Sequence, residues 1–396
     1  MFESLEVAPP DGILAVIAAY RADPRPQKID LGVGVYRDSA GRTPVLAAVR
    51  EAERRLFDAQ DTKTYVGMAG DVGFNAAMTR LVFAESAPAD RIRAVQTPGG
   101  SGALRVLAEL LRRAKPGATV WVSDPTWPNH EPIVRAAGLQ TRSYPYLDRA
   151  TKTVRVEAML AALAEAGPND IVLLHGCCHN PSGADLAPAD WDAVAELAVK
   201  RGFLPFVDLA YQGFGEGLDA DAYGMRRLAA AVPEMVVAVS CSKNFGLYRE
   251  RVGAAFVLAA NPAQADLAQG QLLGVVRANY SMPPDHGAAT VRIILEDAAL
   301  RAQWEAELDG MRDRMLGLRR SLADSLRRRS NGDAFDYIAR HRGMFSLLGT
   351  SEEQTRRLRE EHAVYVVGGG RINIAGLGEA DVDRFADALL AVGLQG

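Results

Sequence analysis

One lysine stands among hydroxyl-bearing residues where a predicted strand ends. Lys243 is one of six lysines in the 396 residues, and Ser240, Ser242 and Arg251 lie close to it. Ligands gather at the carboxyl ends of strands in open α/β sheets. Two hydroxyls and a guanidinium can hold a phosphate beside an amine that forms a Schiff base with an aldehyde. The window is therefore compatible with pyridoxal phosphate. Without support from the rest of the chain, however, an exposed loop lysine with helix-capping serines is the better interpretation.

A second strand end carries an acid and a phenol. Asp208 ends an apolar run, and Tyr211 follows three residues later. A buried carboxylate opposite a pyridine nitrogen keeps that nitrogen protonated, which makes the ring an electron sink. The phenol can hydrogen-bond the phenolic oxygen of the same ring. A helix N-cap is an equally good interpretation of Asp208 when this window is taken in isolation.

A third strand end offers an amide and two histidines. Asn180 suits the same ring oxygen, although a lone Asn-Pro-x-Gly is usually only a turn. His175 and His179 lie beside it, and no acidic or cysteine partner stands at metal-ligand spacing. We therefore expect hydrogen-bonding roles for these histidines and no metal site.

A glycine-rich turn and a tryptophan complete the candidate chemistry. Gly100 and Ser101 belong to a Gly-Gly-Ser-Gly turn before a predicted helix, and the free amides of a helix N-terminus bind anions. The turn lacks the Walker lysine and the GxGxxG spacing, so it predicts a phosphate site and no nucleotide fold. Trp127 can stack on a flat cofactor, with a core tryptophan as the common alternative.

The elements that must position these residues alternate along the chain from about residue 104. Helix-like stretches, such as 104–114 and 191–201, separate short apolar runs. These runs predict strands at 119–122, 141–144, 171–174, 204–207, 235–239 and 253–257. The alternation predicts an α/β fold with a mainly parallel sheet flanked by helices.

A long helix and an α+β stretch are predicted for the last part of the chain. Residues 297–329 have a charged amphipathic pattern, which predicts one helix able to bridge two domains. Further apolar runs predict strands at 335–338, 344–348, 364–367 and 371–374.

Composition narrows the classes of function. The chain is 48% hydrophobic with a net charge of -4 and no long charged block, which disfavours a nucleic-acid platform. Its apolar runs are shorter than the roughly 18 residues that span a bilayer, so no membrane helix is expected. Acidic residues near Met1 and the lack of an apolar run behind them speak against export. We expect a cytoplasmic protein whose three cysteines are buried hydrophobes.

Together these windows closely resemble the aspartate and aromatic amino acid aminotransferases, the alpha subgroup of the fold-type I pyridoxal phosphate enzymes. The resemblance runs through nearly the whole chain, from residues 29–38 to residues 370–376. It implies a homodimer whose subunit has a large cofactor-binding α/β domain, residues 45–310. A smaller α+β domain is then formed by residues 1–44 and 311–396.

The resemblance also implies a role for each candidate residue. Lys243 resembles the catalytic lysine, Asp208 the partner of the ring nitrogen, and Tyr211 a partner of the ring oxygen together with Asn180. The residues implied around the phosphate are Gly100, Ser101, Ser240, Ser242, Arg251 and Tyr65 of the partner subunit. Those implied around the ring are Trp127, His130 and His175, the two histidines orienting Asp208. Those implied at the substrate are Arg371 for the α-carboxylate, Arg277 of the partner subunit for a distal carboxylate, Gly34, Trp127 and Asn180.

Two residues depart from the aspartate-specific pattern. Ser101 replaces the commoner Thr and keeps the hydroxyl. Met282 stands where an Asn is usual beside Arg277, which makes the pocket less polar and favours aromatic substrates as well. The sequence therefore predicts a ping-pong aminotransferase that moves the amino group of aspartate, tyrosine or phenylalanine to 2-oxoglutarate.

Two related functions remain as alternatives, and a third class is excluded. A β-lyase or a decarboxylase of the same fold type shares the cofactor residues but need not keep both Arg277 and Arg371. A non-catalytic regulator that binds pyridoxal phosphate would carry an added DNA-binding domain. A dinucleotide-binding dehydrogenase is excluded because no GxGxxG follows an early strand.

Overall fold

The computed structural model describes residues 1–7 and 12–395. Its strands, in chain order, are β1 (Ile29–Asp30), β2 (Ile92–Pro98), β3 (Thr119–Asp124), β4 (Gln140–Pro145), β5 (Asp170–His175), β6 (Leu204–Leu209), β7 (Met235–Ser240), β8 (Val252–Leu258), β9 (Phe345–Leu347), β10 (Val364–Tyr365) and β11 (Arg371–Asn373).

The helices surround these strands and connect them. In chain order they are α1 (Gly12–Ala22), α2 (Ala47–Ala59), α3 (Val72–Phe83), α4 (Gly99–Ala114), α5 (His130–Ala136), α6 (Val156–Leu163), α7 (Pro188–Arg201), α8 (Leu218–Asp221), α9 (Tyr223–Ala231), α10 (Pro262–Asn279), α11 (His286–Glu296), α12 (Ala298–Ser330), α13 (Tyr337–Arg340), α14 (Glu352–His362) and α15 (Val382–Ala391). Within the described residues, no helix is both long enough and apolar enough to cross a membrane.

A mainly parallel sheet forms the centre of the molecule. Among the described residues it has seven strands in the order β2-β8-β7-β6-β5-β3-β4. Strand β8 is antiparallel to both of its neighbours, β2 and β7, and the other pairs of neighbouring strands in this sheet are parallel. Strands β5, β6 and β7 are almost continuously buried, as expected where helices cover both faces of a sheet. The predicted α/β class is confirmed.

Polar residues gather at one edge of this sheet because parallel strands end on the same side. His175 ends β5 and pairs in register with Asp208 of β6, and β7 ends beside them at Ser240. The six strands predicted between residues 119 and 257 each lie within an observed strand. The sequence therefore located the edge where a ligand site forms in an open α/β sheet.

Among the described residues, one predicted strand is wrong, and two observed strands, β1 and β2, were not predicted. Residues 335–338 were expected to be extended, but helix α13 begins at Tyr337, and Phe335, Tyr337 and Ile338 are buried in a hydrophobic cluster. A short apolar run has no period long enough to separate a strand from a buried helical turn. Strand β2 was not predicted, because its segment mixes apolar residues with Arg93 and Gln96.

The two ends of the chain share a second hydrophobic core. Strand β1 pairs with β10, and Ile29 packs in one cluster with residues of α12 and α15, among them Leu322 and Phe385. The first half of α12, including Trp304 and Leu308, packs in the core beside the large sheet. We propose that the second cluster is the core of the small domain. The boundaries 45–310, 1–44 and 311–396 stay a prediction.

A fully buried arginine fastens α12 to the segment around residue 343. The guanidinium of Arg319 donates to the carbonyl oxygens of Ile338, Arg342, Gly343 and Phe345, at distances between 2.6 and 3.3 Å. It also donates to Ser346 Oγ at 2.7 Å. Burial lowers the pKa of Arg319 to about 9. Carbonyl dipoles, rather than a carboxylate in contact, therefore hold this charge.

Replacing this arginine should be costly. Arg319→Met keeps the apolar stem but leaves several buried carbonyl oxygens without donors, so we expect the free energy of unfolding to fall by about 3 kcal/mol or more. Urea denaturation at fixed protein concentration measures the change, with Arg320→Met on the exposed face of α12 as the matched control. A loss below about 1 kcal/mol would show that water replaces the guanidinium.

Candidate active site

A single cleft at the carboxyl edge of the sheet brings together most of the predicted site residues. Its volume is about 180 Å³. The predicted residues that line it are Gly34, Gly100, Ser101, Trp127, His175, Asn180, Asp208, Tyr211, Ser240, Ser242, Lys243, Arg251 and Arg371. Four further lining residues had no predicted role at a site, namely Leu104, Cys177, Ala210 and Phe345.

The environment of Lys243 excludes the exposed-loop alternative. Its Nζ lies 4.8 Å from the centre of the Tyr211 ring. Desolvation lowers the pKa of Lys243 to about 8, the negative charge of Asp208 opposes this shift, and the positive charge of Arg251 adds to it. An ordinary lysine has a pKa near 10.4. The chain therefore holds an amine that gains and loses its proton close to neutral pH.

Asp208 is a buried carboxylate held by His130. His130 Nε2 lies 2.9 Å from Asp208 Oδ2. Burial raises the pKa of Asp208, but the hydrogen bond from His130 and nearby positive charge, including that of Lys243, outweigh it, so that the pKa falls below its usual value. The N-cap alternative fails because the carboxylate is directed to His130. Asp208 is therefore ionised at the floor of the cleft.

A chain of hydrogen bonds behind Asp208 points in one direction. Because His130 donates from Nε2 to the carboxylate, its Nδ1 accepts the proton of Thr126 Oγ1, 2.8 Å away. Thr126 Oγ1 must then accept from His175 Nε2 at 3.2 Å, and His175 Nδ1 accepts from the backbone N–H of Asn180 at 3.4 Å. Burial lowers the pKa of His175 to about 3, which keeps it neutral as this arrangement requires.

The phosphate end of the cleft has the shape and the donors for an anion. Gly99 begins α4 with φ +75°, and a Cβ at this residue would lie 2.5 Å from Arg251 Nη2. A Cβ on Gly100 would lie 3.0 Å from the Cβ of Ser240. Only glycines leave room here between the N-terminus of α4, the guanidinium and the serine hydroxyls. These residues fit the phosphate of the expected cofactor.

The ring end of the cleft also fits that cofactor. Within the described residues, the buried Oδ1 atom of Asn180 has no hydrogen-bond partner. Its Nδ2 lies 3.5 Å from the Tyr211 hydroxyl, and burial raises the pKa of Tyr211, so that the phenol keeps its proton. Trp127 is half-buried and lines the cleft, in contrast to a core tryptophan. Polar atoms are thus left for a bound group.

At the opposite wall, Arg371 is held in place for a carboxylate. Its Nη2 donates to the carbonyl oxygen of Gly32 at 3.0 Å, and its guanidinium lies 4.6 Å from the centre of the Phe345 ring. Gly34 allows this packing, because a Cβ there would lie 3.1 Å from the same ring. Asn373 fixes the loop by donating to the carbonyl oxygens of residues 33 and 35. The planar guanidinium is therefore presented to the cleft.

Three of the predicted site residues do not line the cleft of their own chain. His130 is buried behind Asp208. Tyr65 is 91% exposed, and Arg277 is exposed near the end of α10, where it donates to Ser281 Oγ at 2.5 Å. Tyr65 and Arg277 are the two residues predicted to act in the cleft of the partner subunit. That assignment stays a prediction.

Thr126 and Phe345 are the positioning residues that the sequence did not reveal. Thr126 stands directly before Trp127 in a window already singled out, and a hydroxyl between two histidines was a usable signal. Phe345 gave no such signal, because its contacts with Gly34 and Arg371 depend on how the ends of the chain meet.

One group of side chains has metal-ligand types close together. In the part of the chain that the structure describes, ligand atoms of Cys177, Cys178 and Asp221 lie within 4.8 Å of one another. Contact with Cys178 and burial raise the pKa of Cys177, and burial raises that of Cys178 to about 12. Asp221 already accepts three backbone N–H groups. Protonated thiols and a bonded carboxylate are poor ligands for a cation.

Comparisons with known proteins agree with this geometry. Residues 26–389 match the family described as aminotransferase class I and II. The chain is similar to the aromatic-amino-acid aminotransferase of Paracoccus denitrificans, with 48% identity over 100% of both chains. It is similar to the aspartate aminotransferase of Salmonella typhi, with 46% identity over 99% of this chain and 100% of that one. A structure from Burkholderia pseudomallei, an aromatic-amino-acid aminotransferase covalently bound to pyridoxal phosphate, has a TM-score of 0.96 and 42% identity and covers 100% of both chains.

The lowered pKa of Lys243 can be tested by labelling. In cofactor-free protein, the rate at which an amine-specific reagent modifies Lys243 should rise with pH and level off above about 8, because only the neutral amine reacts. Asp208→Asn removes a charge that favours the ammonium form, so the midpoint should move to lower pH. Peptide mass spectrometry of timed samples measures both curves. A midpoint near 10.4, or an upward movement in the variant, would contradict the assignment.

Proposed function

Because the chain belongs to the family of class I and II aminotransferases, we propose that it moves the amino group of aspartate and of tyrosine or phenylalanine to 2-oxoglutarate. The observation that carries the proposal is one cleft in which a proton-exchanging amine, an ionised buried acid and a fixed guanidinium face each other. These groups are Lys243, Asp208 and Arg371. Pyridoxal 5'-phosphate is the cofactor that fits them.

Each part of the cleft has its own task in holding the cofactor. When bound, pyridoxal phosphate supplies an aldehyde and a pyridine ring that accepts an electron pair from the substrate. The N-terminus of α4, Ser240, Ser242 and Arg251 hold the phosphate. Asp208 holds a proton on the ring nitrogen, and His130 keeps the carboxylate ionised and oriented. Asn180 and Tyr211 hold the ring oxygen.

Lys243 moves the proton that transamination requires. Its Nζ would take the proton from the α-carbon of the substrate and hold it for return on the same face. A pKa of about 8 gives an amine that accepts this proton and releases it again near neutral pH. The Tyr211 ring and the surrounding burial keep bulk water from competing for it.

Arg371 orients the substrate for that transfer. Its fork can bind the α-carboxylate through two parallel hydrogen bonds, which fixes the direction of the bond from the α-carbon to hydrogen. Phe345 and Gly32 hold the guanidinium before substrate arrives. Since one set of residues serves the amino acid and then the oxo acid, both half-reactions use the same cleft in a ping-pong cycle.

A homodimer in the cytoplasm completes the proposal. Tyr65 and Arg277 are exposed and lie outside their own cleft, as residues that act in a partner subunit must. Arg277 of the partner subunit would then meet the distal carboxylate of aspartate or glutamate. The three cysteines are buried and free, which suits a reducing compartment.

The function and the role of Asp208 can be tested together. With pyridoxal phosphate added, the purified protein should form glutamate from 2-oxoglutarate with either aspartate or phenylalanine. Asp208→Asn should lower kcat about a thousandfold, near 4 kcal/mol, because the ring nitrogen loses the charge that keeps it protonated. Rates are expressed per bound cofactor, measured by absorbance. A kcat within about tenfold of the wild type would place the electron-sink role elsewhere.

Substrate range depends on Arg277. Arg277→Leu should lower kcat/KM for aspartate and glutamate more than about a hundredfold, near 2.7 kcal/mol, because a distal carboxylate would be buried without a partner. Phenylalanine should change less than about tenfold. Met282→Asn should shift the preference toward aspartate, and Arg320→Leu on exposed α12 serves as the control. Equal losses for acidic and aromatic substrates would show that Arg277 holds the site together.

A further inference from the structure

A second cavity opens beside the cleft and shares Arg371 with it. The cavity has a volume of about 570 Å³. Lys152 and Arg149 line it together with Thr126 and Thr350. The cavity is therefore continuous with the guanidinium proposed to bind the α-carboxylate, and it carries two further cationic side chains that the function described above does not use.

Lys152 is a buried cation without a bonded acceptor. The residue is 8% exposed. Across residues 1–7 and 12–395, its Nζ makes no hydrogen bond and no ion pair. Burial, and then the charge of Arg149, lower the pKa of Lys152. Because Lys152 lines the cavity, an anion held there would give this ammonium a charged partner.

The loop around Lys152 holds this ammonium in place. Lys152 has a left-handed backbone with φ +58°, uncommon for a residue other than glycine. Its backbone N–H donates to the carbonyl oxygen of Asp148, and its own carbonyl oxygen accepts from His341 Nε2, both at 2.9 Å. The ammonium lies over Gly349, where a Cβ would be only 2.7 Å from Nζ. The loop therefore fixes the backbone of Lys152 and places its ammonium at the wall of the cavity beside Gly349.

The nearby described carboxylates lie outside the lining of the cavity. Asp148 accepts from the backbone N–H groups of residues 150 and 151, and its negative charge raises the pKa of Lys152 against the two causes that lower it. Asp124 contacts Arg149 at 3.4 Å on the exposed rim, where an ion pair contributes little. Among the described residues, the lining contains no carboxylate. The charged side chains that line the cavity, among the described residues, are therefore all cationic, and the ligand that suits them is a small oxyanion.

We propose that Lys152 and Arg149 form an oxyanion subsite that binds a carboxylate of a dicarboxylic substrate on its way to Arg371. The inference rests on the proposed function, since it concerns how 2-oxoglutarate enters the same cleft. A field of fixed cations raises the local concentration of an anion and its rate of entry. A monocarboxylic oxo acid such as phenylpyruvate has no second carboxylate for this subsite.

The test compares two oxo acids on the holoenzyme. Lys152→Met should raise KM and lower kcat/KM about tenfold for 2-oxoglutarate with kcat unchanged, whereas phenylpyruvate should change less than about twofold. Lys152→Arg should restore most of the loss. Lys200→Met, which removes an exposed lysine of α7, should change neither substrate. At an ionic strength of about 1 M the difference between wild type and Arg149→Leu should largely disappear, because salt screens the exposed charge of Arg149.

A second variant and a second probe keep the test decisive. Arg149→Leu changes an exposed side chain and should lower kcat/KM for 2-oxoglutarate about threefold even if Lys152→Met fails to fold. Calorimetric titration with inorganic phosphate distinguishes the source of the oxyanion. If Lys152→Met abolished phosphate binding but left the KM for 2-oxoglutarate unchanged, the substrate assignment would be overturned.

Other outcomes also decide between explanations. Equal losses for 2-oxoglutarate and phenylpyruvate in both variants would show that the loop only supports the fold, and the subsite would be wrong. Failure of the wild type to transaminate any pair of substrates would instead refute the proposed function. The two failures therefore give different results in the same assays.

Discussion

The structure depends on keeping one carboxylate ionised inside protein. Asp208 is buried at the end of β6, and burial by itself favours its neutral form. The hydrogen bond from His130, together with nearby positive charge that includes Lys243, reverses that preference. His130 is the last member of a chain of donors that runs from the Asn180 backbone through His175 and Thr126. His175, Thr126 and His130 each donate one proton and accept another. The backbone N–H at one end and the carboxylate at the other therefore determine the direction of every hydrogen bond between them. The neighbouring strands β3, β5 and β6 bring these groups together, because Thr126 follows the carboxyl end of β3, and His175 and Asp208 lie at the carboxyl ends of β5 and β6.

The sequence predicted the parts of the site that are local to strand ends. Lys243, Asp208 and Asn180 follow apolar runs, and parallel strands place such ends together whatever the rest of the chain does. Local sequence patterns did not predict contacts between distant segments. Phe345 meets Gly34 across 311 residues, and the helix of Tyr337 depends on packing against α12. Neither contact leaves a periodic pattern within its own segment.

The contacts around Arg371 connect the two hydrophobic cores. Arg319 receives no help from a carboxylate in contact, yet it binds the carbonyl oxygen of Phe345, whose ring packs against Arg371. The Arg371 guanidinium, which we propose binds the substrate, is therefore positioned through Phe345 by the buried guanidinium of Arg319 on α12. The sheet positions Asp208 and Lys243, whereas Arg371 lies between the two cores, with Phe345 of the first core against its guanidinium and Ile372 of the second core next to it in β11.

The length of α12 has a consequence for how such a chain can vary. Its 33 residues form a helix of about 50 Å, with Trp304 and Leu308 buried in one core and Leu318 and Leu322 in the other. One inserted residue near its middle would turn everything beyond it by about 100°. The second apolar stripe would then face water, and Arg319 would leave its carbonyl oxygens. We therefore expect insertions and deletions to be tolerated in loops and not within α12, whose helical register must be kept.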